Sequence, residues 1–167
     1  MKHLASPVAG AGWALAHAVK DIDGKVALVG MGDGGYVIEK TSDIDEDTVV
    51  MHEAKGRVEN VSGALDKIDE ELGLFSNTSF GVRLLVIVSD FEIVMPTHDK
   101  LLAMAISDHQ AKGGYTLLID TSTYAEAHKY GATHLVQGSN AEGISQALVD
   151  GVLGIYGEVI KQHRAVA

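Results

Sequence analysis

Gly30, Gly32 and Gly35 fall at G-x-G-x-x-G spacing in VALVGMGDGG, directly after an apolar run. Glu53 stands about 20 residues further on, where a dinucleotide-binding loop places the acid that holds a ribose. That chemistry needs the third glycine to open a helix, whose N-terminal amides meet the pyrophosphate. Here Tyr36 to Lys40 (YVIEK) alternates apolar with polar residues and reads as a strand, and the Gly-Asp-Gly-Gly before it is hairpin-turn chemistry. The glycine spacing is therefore read as coincidental. A second candidate is Asp90, delivered at the end of the apolar run RLLVIVS. Ser89, Glu92 and Glu59 offer further hard oxygens near one strand end, and Asp33 ends a neighbouring run. Two roles fit Asp90: a magnesium ligand, or a strand-end residue that caps nearby backbone amides. The acidic run SDIDEDT lacks the glycine and the terminal glutamate of a calcium loop and reads as a solvated connection. No G-x-S-x-G elbow is present, and His98-Asp99, the nearest thing to a catalytic pair, consists of neighbours that point apart at a helix start. His17, His109, His128 and His163 fall in helical segments without partners at i+4. No enzyme is expected.

These residues need elements to position them. Ser6-Pro7 reads as an N-cap and first helical residue, followed by Val8, Ala11, Leu15, Ala18, Val19 and Ile22 at helical spacing, with Asp23-Gly24 as the stop. Lys25 to Gly30 is a buried strand, Thr48 to Glu53 an edge strand, and Val61 to Leu72 an amphipathic helix. Arg83 to Ser89 is continuously apolar and is expected at the centre of a parallel sheet. Thr97 caps a helix that Gly113-Gly114 stops, and Tyr115 to Asp120 is the next strand. Thr123 with Glu126 caps a short helix ending at Gly131, and Thr133 to Gln137 is the last strand. Ser139 with Glu142 caps a long final helix, in which Gly151, Gly154 and Gly157 offer close backbone approach. Strand and helix alternate from residue 83 onward, which demands parallel strands joined by right-handed crossovers. The expected fold class is α/β, a three-layer Rossmann-like sandwich whose mostly parallel sheet carries an antiparallel edge hairpin.

The totals agree. With 167 residues, 46% hydrophobic and 22% charged, the chain is read as a single domain spanning residues 1 to 167. A net charge of −10 makes nucleic acid and anionic membranes poor partners. The absence of cysteine removes disulfides and thiolate zinc sites, and no apolar window reaches the roughly 18 residues of a membrane span. A cytoplasmic protein is expected.

The order of helix, VALVGMGD, hairpin strand YVIEK, helix VSGALDKI, strand LLVIVSDFE, helix, strand YTLLID, helix, strand THLVQG and helix resembles a von Willebrand factor A (integrin I-like) domain over nearly the whole chain. The resemblance implies a protein-binding module with a metal-ion-dependent adhesion site that holds Mg2+ at the carboxyl ends of the sheet. The family's last aspartate ligand falls on Asp90, followed by Phe91 where glycine is common, which changes the loop. Its threonine position falls near Glu59 or Asn60, so that ligand is replaced, and the Asp-x-Ser-x-Ser loop of the first strand has no counterpart. The site is thus expected to be incomplete and its magnesium binding weak. Some family members serve as adaptors for MoxR-type AAA+ ATPases, which makes such an ATPase one implied partner. With the family's first strand missing, the strands at Val26 to Gly30 and Leu84 to Ser89 face a slot. That slot is expected to close by direct pairing or to be filled by a chain supplying the missing strand, with strand exchange in a homo-oligomer favoured. The alternative is a small Rossmann-like enzyme binding a nucleotide or phosphorylated metabolite at the loops after Gly30 and Ser89. The two readings part after Gly35: a strand paired back onto Val26 to Gly30 favours the binding module, a helix the enzyme.

Overall fold

The computed structural model of the chain describes residues 5–32, 36–40, 60–76, 81–93, 95–123 and 126–166. Among them, four α-helices and five strands follow in the order α1 (Ala5–Lys20), β1 (Ala27–Gly30), β2 (Tyr36–Lys40), α2 (Val61–Leu72), β3 (Leu84–Ser89), α3 (Pro96–Ala111), β4 (Tyr115–Asp120), a 3-10 helix (Glu126–Tyr130), β5 (His134–Gln137) and α4 (Ala141–Val166). The expected edge strand Thr48 to Glu53 and the acidic run Ser42 to Thr48 lie outside the described residues.

β4 is the centre of the molecule. All six of its side chains are buried, and it pairs in parallel with β3 on one side and β5 on the other. The two-residue period of a strand splits its side chains between two cores. Tyr115, Leu117 and Ile119 join Ala11 of α1 and Ile144, Ala147, Leu148, Ile155 and Val159 of α4, while Leu118 joins Val61 of α2 and Leu102 and Ile106 of α3. Helices therefore cover both faces of the parallel sheet, as an α/β layout requires. No helix among the described residues is long and apolar enough to cross a membrane.

Among the described residues, the sheet departs from two expectations. β1 and β2 form the antiparallel hairpin, Ala27 opposite Lys40 and Gly30 opposite Tyr36, but as a two-stranded sheet of their own. β3, read as central, is the end strand of the order β3-β4-β5, so direct pairing of β1 with β3 is not formed. A continuously apolar strand reports burial of both faces, and helix layers bury the faces of an end strand as well as those of a central one. The layers hold the two sheets together. On one side α1 packs Ala16 and Val19 with Val26 and Leu28, and Val8, Ala11 and Leu15 with the cluster that holds Leu84, Val86 and Val88. On the other, α2 reaches the hairpin through Lys40 and Glu71, 3.2 Å apart, and places Val61, Leu65 and Ile68 in the cluster of Leu85 and Ile87.

Several helix starts are also shifted. Within the described residues α1 already runs at Ala5, so Ser6 and Pro7 lie in the helix and Ser6 is not its N-cap. α3 begins at Pro96 after Met95, with no side-chain cap from Thr97. α4 is capped by Asn140 instead of Ser139, its Oδ1 accepting from the Gly143 amide at 2.8 Å. Asp120 holds the start of the 3-10 helix, accepting from the Ala127 amide at 3.2 Å, while the Glu126 side chain of the expected Thr123–Glu126 cap lies outside what the structure describes.

Of Gly151, Gly154 and Gly157, the three glycines of α4 expected to allow close approach, only two pack closely. A Cβ on Gly151 would lie 2.4 Å from Leu117 Cδ1, one on Gly154 2.2 Å from His134 Nε2, and one on Gly157 would meet nothing within 4 Å. Gly157→Ala is expected to raise stability by about 0.5 to 1 kcal/mol through helix propensity. Gly151→Ala makes the same gain, yet overpacks the wholly buried Leu117 at a cost of about 1 to 3 kcal/mol and should lower the melting temperature. Thermal unfolding of the two variants checks the opposite signs.

His109 is fully buried under Gly114, its Nε2 donating to the Tyr115 carbonyl at 3.2 Å. Burial foremost, and then the Arg83 charge, hold its pKa below the ordinary 6.5, against the Tyr115 hydrogen bond that raises it. The fold therefore keeps this ring neutral while the unfolded chain takes up a proton near pH 6.5. The stabilisation is complete above that pH and is lost as pH falls toward the folded value. Urea midpoints should drop between pH 7.5 and 5.5, and drop less in His109→Gln.

Candidate functional site

The carboxyl ends of the parallel strands share one rim, because β3 and β4 run in register from Leu84 opposite Tyr115 to Ser89 opposite Asp120. The chain leaves β3 through Ser89, whose buried Oγ accepts from the Phe91 amide at 3.0 Å. Asp90 follows, half-buried, with Oδ1 3.4 Å from the Glu92 amide, and Glu92 is exposed. Phe91 turns the loop. It takes φ of 54°, the left-handed region that glycine enters without cost, and its ring is buried against Tyr130 with centroids 5.5 Å apart. The side chain thus pays in core packing for a backbone conformation that a glycine would adopt freely.

Next to Ser89 stands Asp120, which the sequence reading passed over. It is buried, and both carboxylate oxygens are engaged: Oδ1 accepts from the Ser122 amide at 2.8 Å and Oδ2 from the Ala127 amide. Its own carbonyl accepts from Gly138 at 3.0 Å, tying the end of β5 to the same rim. The signal was present in YTLLID, an apolar strand that ends on a carboxylate as LLVIVSD does.

Of the residues expected to form the site, Ser89, Asp90 and Glu92 come together in one loop; Glu59 and Asp33 lie outside the described residues. Among the described residues, no group of three or more His, Asp or Glu side chains converges to hold a metal ion. A hard cation takes about six oxygens. Here Ser89 Oγ and the carboxylates of Asp90 and Glu92 are the oxygens that the described loop offers, fewer side chains than a closed magnesium shell uses. Magnesium or manganese is expected to bind with a dissociation constant of about 1 mM or weaker. Calorimetry should show this weak binding abolished in Asp90→Ala; micromolar affinity that survives the substitution would contradict the assignment.

The histidines are less ordinary than their spacing suggests. His17 packs against Trp13 four residues earlier, ring centroids 4.2 Å apart and planes tilted by 46°, and His109 is the buried residue described above. Asp99 turns from His98 to the 3-10 helix, accepting from the Tyr130 hydroxyl and pairing with Lys129 at 3.0 Å. The Tyr130 hydrogen bond, then Lys129, hold its carboxyl below the usual range.

Fold and site together define an α/β protein with a short parallel sheet whose carboxyl rim carries Ser89, Asp90 and Asp120. Comparison with known proteins adds no relative: no family model, no curated protein and no solved structure matches the chain.

Proposed function

We propose that the chain is a protein-binding module of the von Willebrand A type, with an incomplete metal-ion-dependent adhesion site at the β3 rim. The observation that carries this reading is the return of the chain after the glycine-rich turn as β2, antiparallel to β1. A loop that runs into a strand offers no helix N-terminus to a pyrophosphate, which weighs against the nucleotide-binding enzyme. The loop after Ser89 weighs against it too. α3 opens with Pro96, which has no amide to donate, and Asp99 puts a negative charge in its first turn. The left-handed backbone at Phe91 supports the family reading, since glycine is common there. A MoxR-type AAA+ ATPase is the partner class that the resemblance implies. Titration of the chain against such an ATPase from the same genome should give saturable binding that weakens in Asp90→Ala, with no thermal shift from ATP or NAD. Tight nucleotide binding without protein binding would reverse the choice.

A further inference from the structure

α4 carries two apolar stripes, and the core uses one. Ile144, Ala147, Leu148, Ile155 and Val159 are buried in the cluster that holds Ala11 of α1 and Leu117 of β4. On the outward face Glu142, Gln146, Val149, Leu153, Tyr156 and Ile160 are all exposed, at intervals of 4, 3, 4, 3 and 4 residues, the spacing of a coiled-coil seam. Val149, Leu153, Tyr156 and Ile160 keep 53%, 63%, 62% and 37% of their surface in solvent. Together they expose about 450 Å² in one strip, the size at which an apolar patch marks an interaction site. Residues 41–59 are joined to the described chain on the other layer, at Lys40, which pairs with Glu71 of α2, and at Asn60, which opens α2.

We infer that this strip binds a second copy of the chain, α4 against α4 and antiparallel, about a two-fold axis level with Gly154 and Ile155. Three properties select a copy in that orientation. The intervals between the four apolar residues, 4, 3 and 4, read the same from either end, so the two-fold sets Val149 opposite the copy's Ile160 and Leu153 opposite its Tyr156. The polar seam positions then fall outside this centre, Gln146 of each copy level with position 163 of the other. Charge is divided in the same sense: Glu142 and Asp150 make the first half of α4 acidic, while Lys161 and Arg164 outweigh Glu158 in the second. An antiparallel pair lays unlike halves and opposed helix dipoles side by side; a parallel pair would lay acid along acid. The two strips bury roughly 900 Å² before their polar flanks are counted, close to the 1,000 Å² or so that a specific interface clears. The β3 rim is on the other layer, where Phe91 packs with α2 and α3, so this dimer is independent of the function proposed above.

Sedimentation equilibrium of the chain should show monomer and dimer with a dissociation constant of about 10 μM. Leu153→Lys puts a charge at the centre of the seam in both copies and should raise that constant about a hundredfold or more. Because the side chain replaced is exposed, the circular dichroism spectrum should stay unchanged. Met104→Lys, at an exposed apolar position of α3, should leave the dimer intact. Orientation is read by cross-linking with a short bis-maleimide, since the chain has no cysteine of its own. Gly157→Cys lies near the axis and should join two copies, while the two sites of Gln146→Cys, about 25 Å apart along antiparallel helices, should not be joined. A chain still monomeric at ten times the expected constant would overturn the inference and leave the strip to another part of this chain or to a different protein. A dimer that survives Leu153→Lys, or one that Met104→Lys abolishes, would place the interface elsewhere and overturn it too. Efficient joining of Gln146→Cys would mean a parallel pair and overturn the orientation argued from charge.

Discussion

Phe91→Ala is expected to lower the unfolding free energy by about 4 kcal/mol, the usual cost of removing a fully buried phenylalanine. Its ring lies in the cluster that joins α2, α3, β3 and β4 and packs on Tyr130, so the cavity opens where the four elements meet. The informative comparison is Phe91→Gly. Glycine is normally worse than alanine, yet φ at this position is 54°, where alanine bears a backbone cost of about 1 kcal/mol that glycine escapes. Phe91→Gly should therefore be more stable than Phe91→Ala by about that amount. Urea denaturation of the three proteins measures both differences, and a glycine variant weaker than the alanine one would show that the turn is not held in the left-handed region. Because Phe91 fixes the backbone beside Asp90, the alanine variant should also bind its protein partner more weakly.

Asp120→Ala should cost about 3 kcal/mol or more. The buried carboxylate accepts two amides, each charge-assisted bond contributing about 1.5 kcal/mol or more, and alanine leaves the buried Ala127 amide unsatisfied. Asp120→Asn retains one oxygen acceptor and should recover roughly half of the loss. The damage should be local before it is global: amide exchange in the 3-10 helix Glu126–Tyr130 should accelerate first, because Asp120 accepts the Ala127 amide in its first turn. Equal acceleration across β4 and the 3-10 helix would mean instead that Asp120 supports the whole sheet.

Local sequence signals located nearly every element in the described residues. The periodicities of VSGALDKIDEEL and YTLLID place α2 and β4 at the residues observed, and the turn glycines mark the ends of α1, α3 and the 3-10 helix. The Gly-rich turn with YVIEK was enough to predict a hairpin, because the alternation in the second strand is a local property. Caps were less legible. Ser139 and Asn140 are both good cap residues, and the choice between them is set by where the helix axis must point to pack, which no local pattern records.

The sequence by itself therefore determined the α/β class, the hairpin and the strand-end position of Asp90, since each follows from residue spacing within one element. Only the tertiary structure decided that β3 stands at the end of the described sheet instead of at its centre, that Asp120 is buried beside Ser89, and that a Cβ on Gly151 would meet Leu117 while one on Gly157 would meet none of the described residues. These depend on which elements become neighbours. An apolar side chain is buried equally well by a helix or by a second sheet, so hydrophobicity reports that a face is covered and says nothing of what covers it. Backbone hydrogen bonds decide the edge of a sheet, and the backbone of β3 is chemically the same whether or not a strand lies beside it.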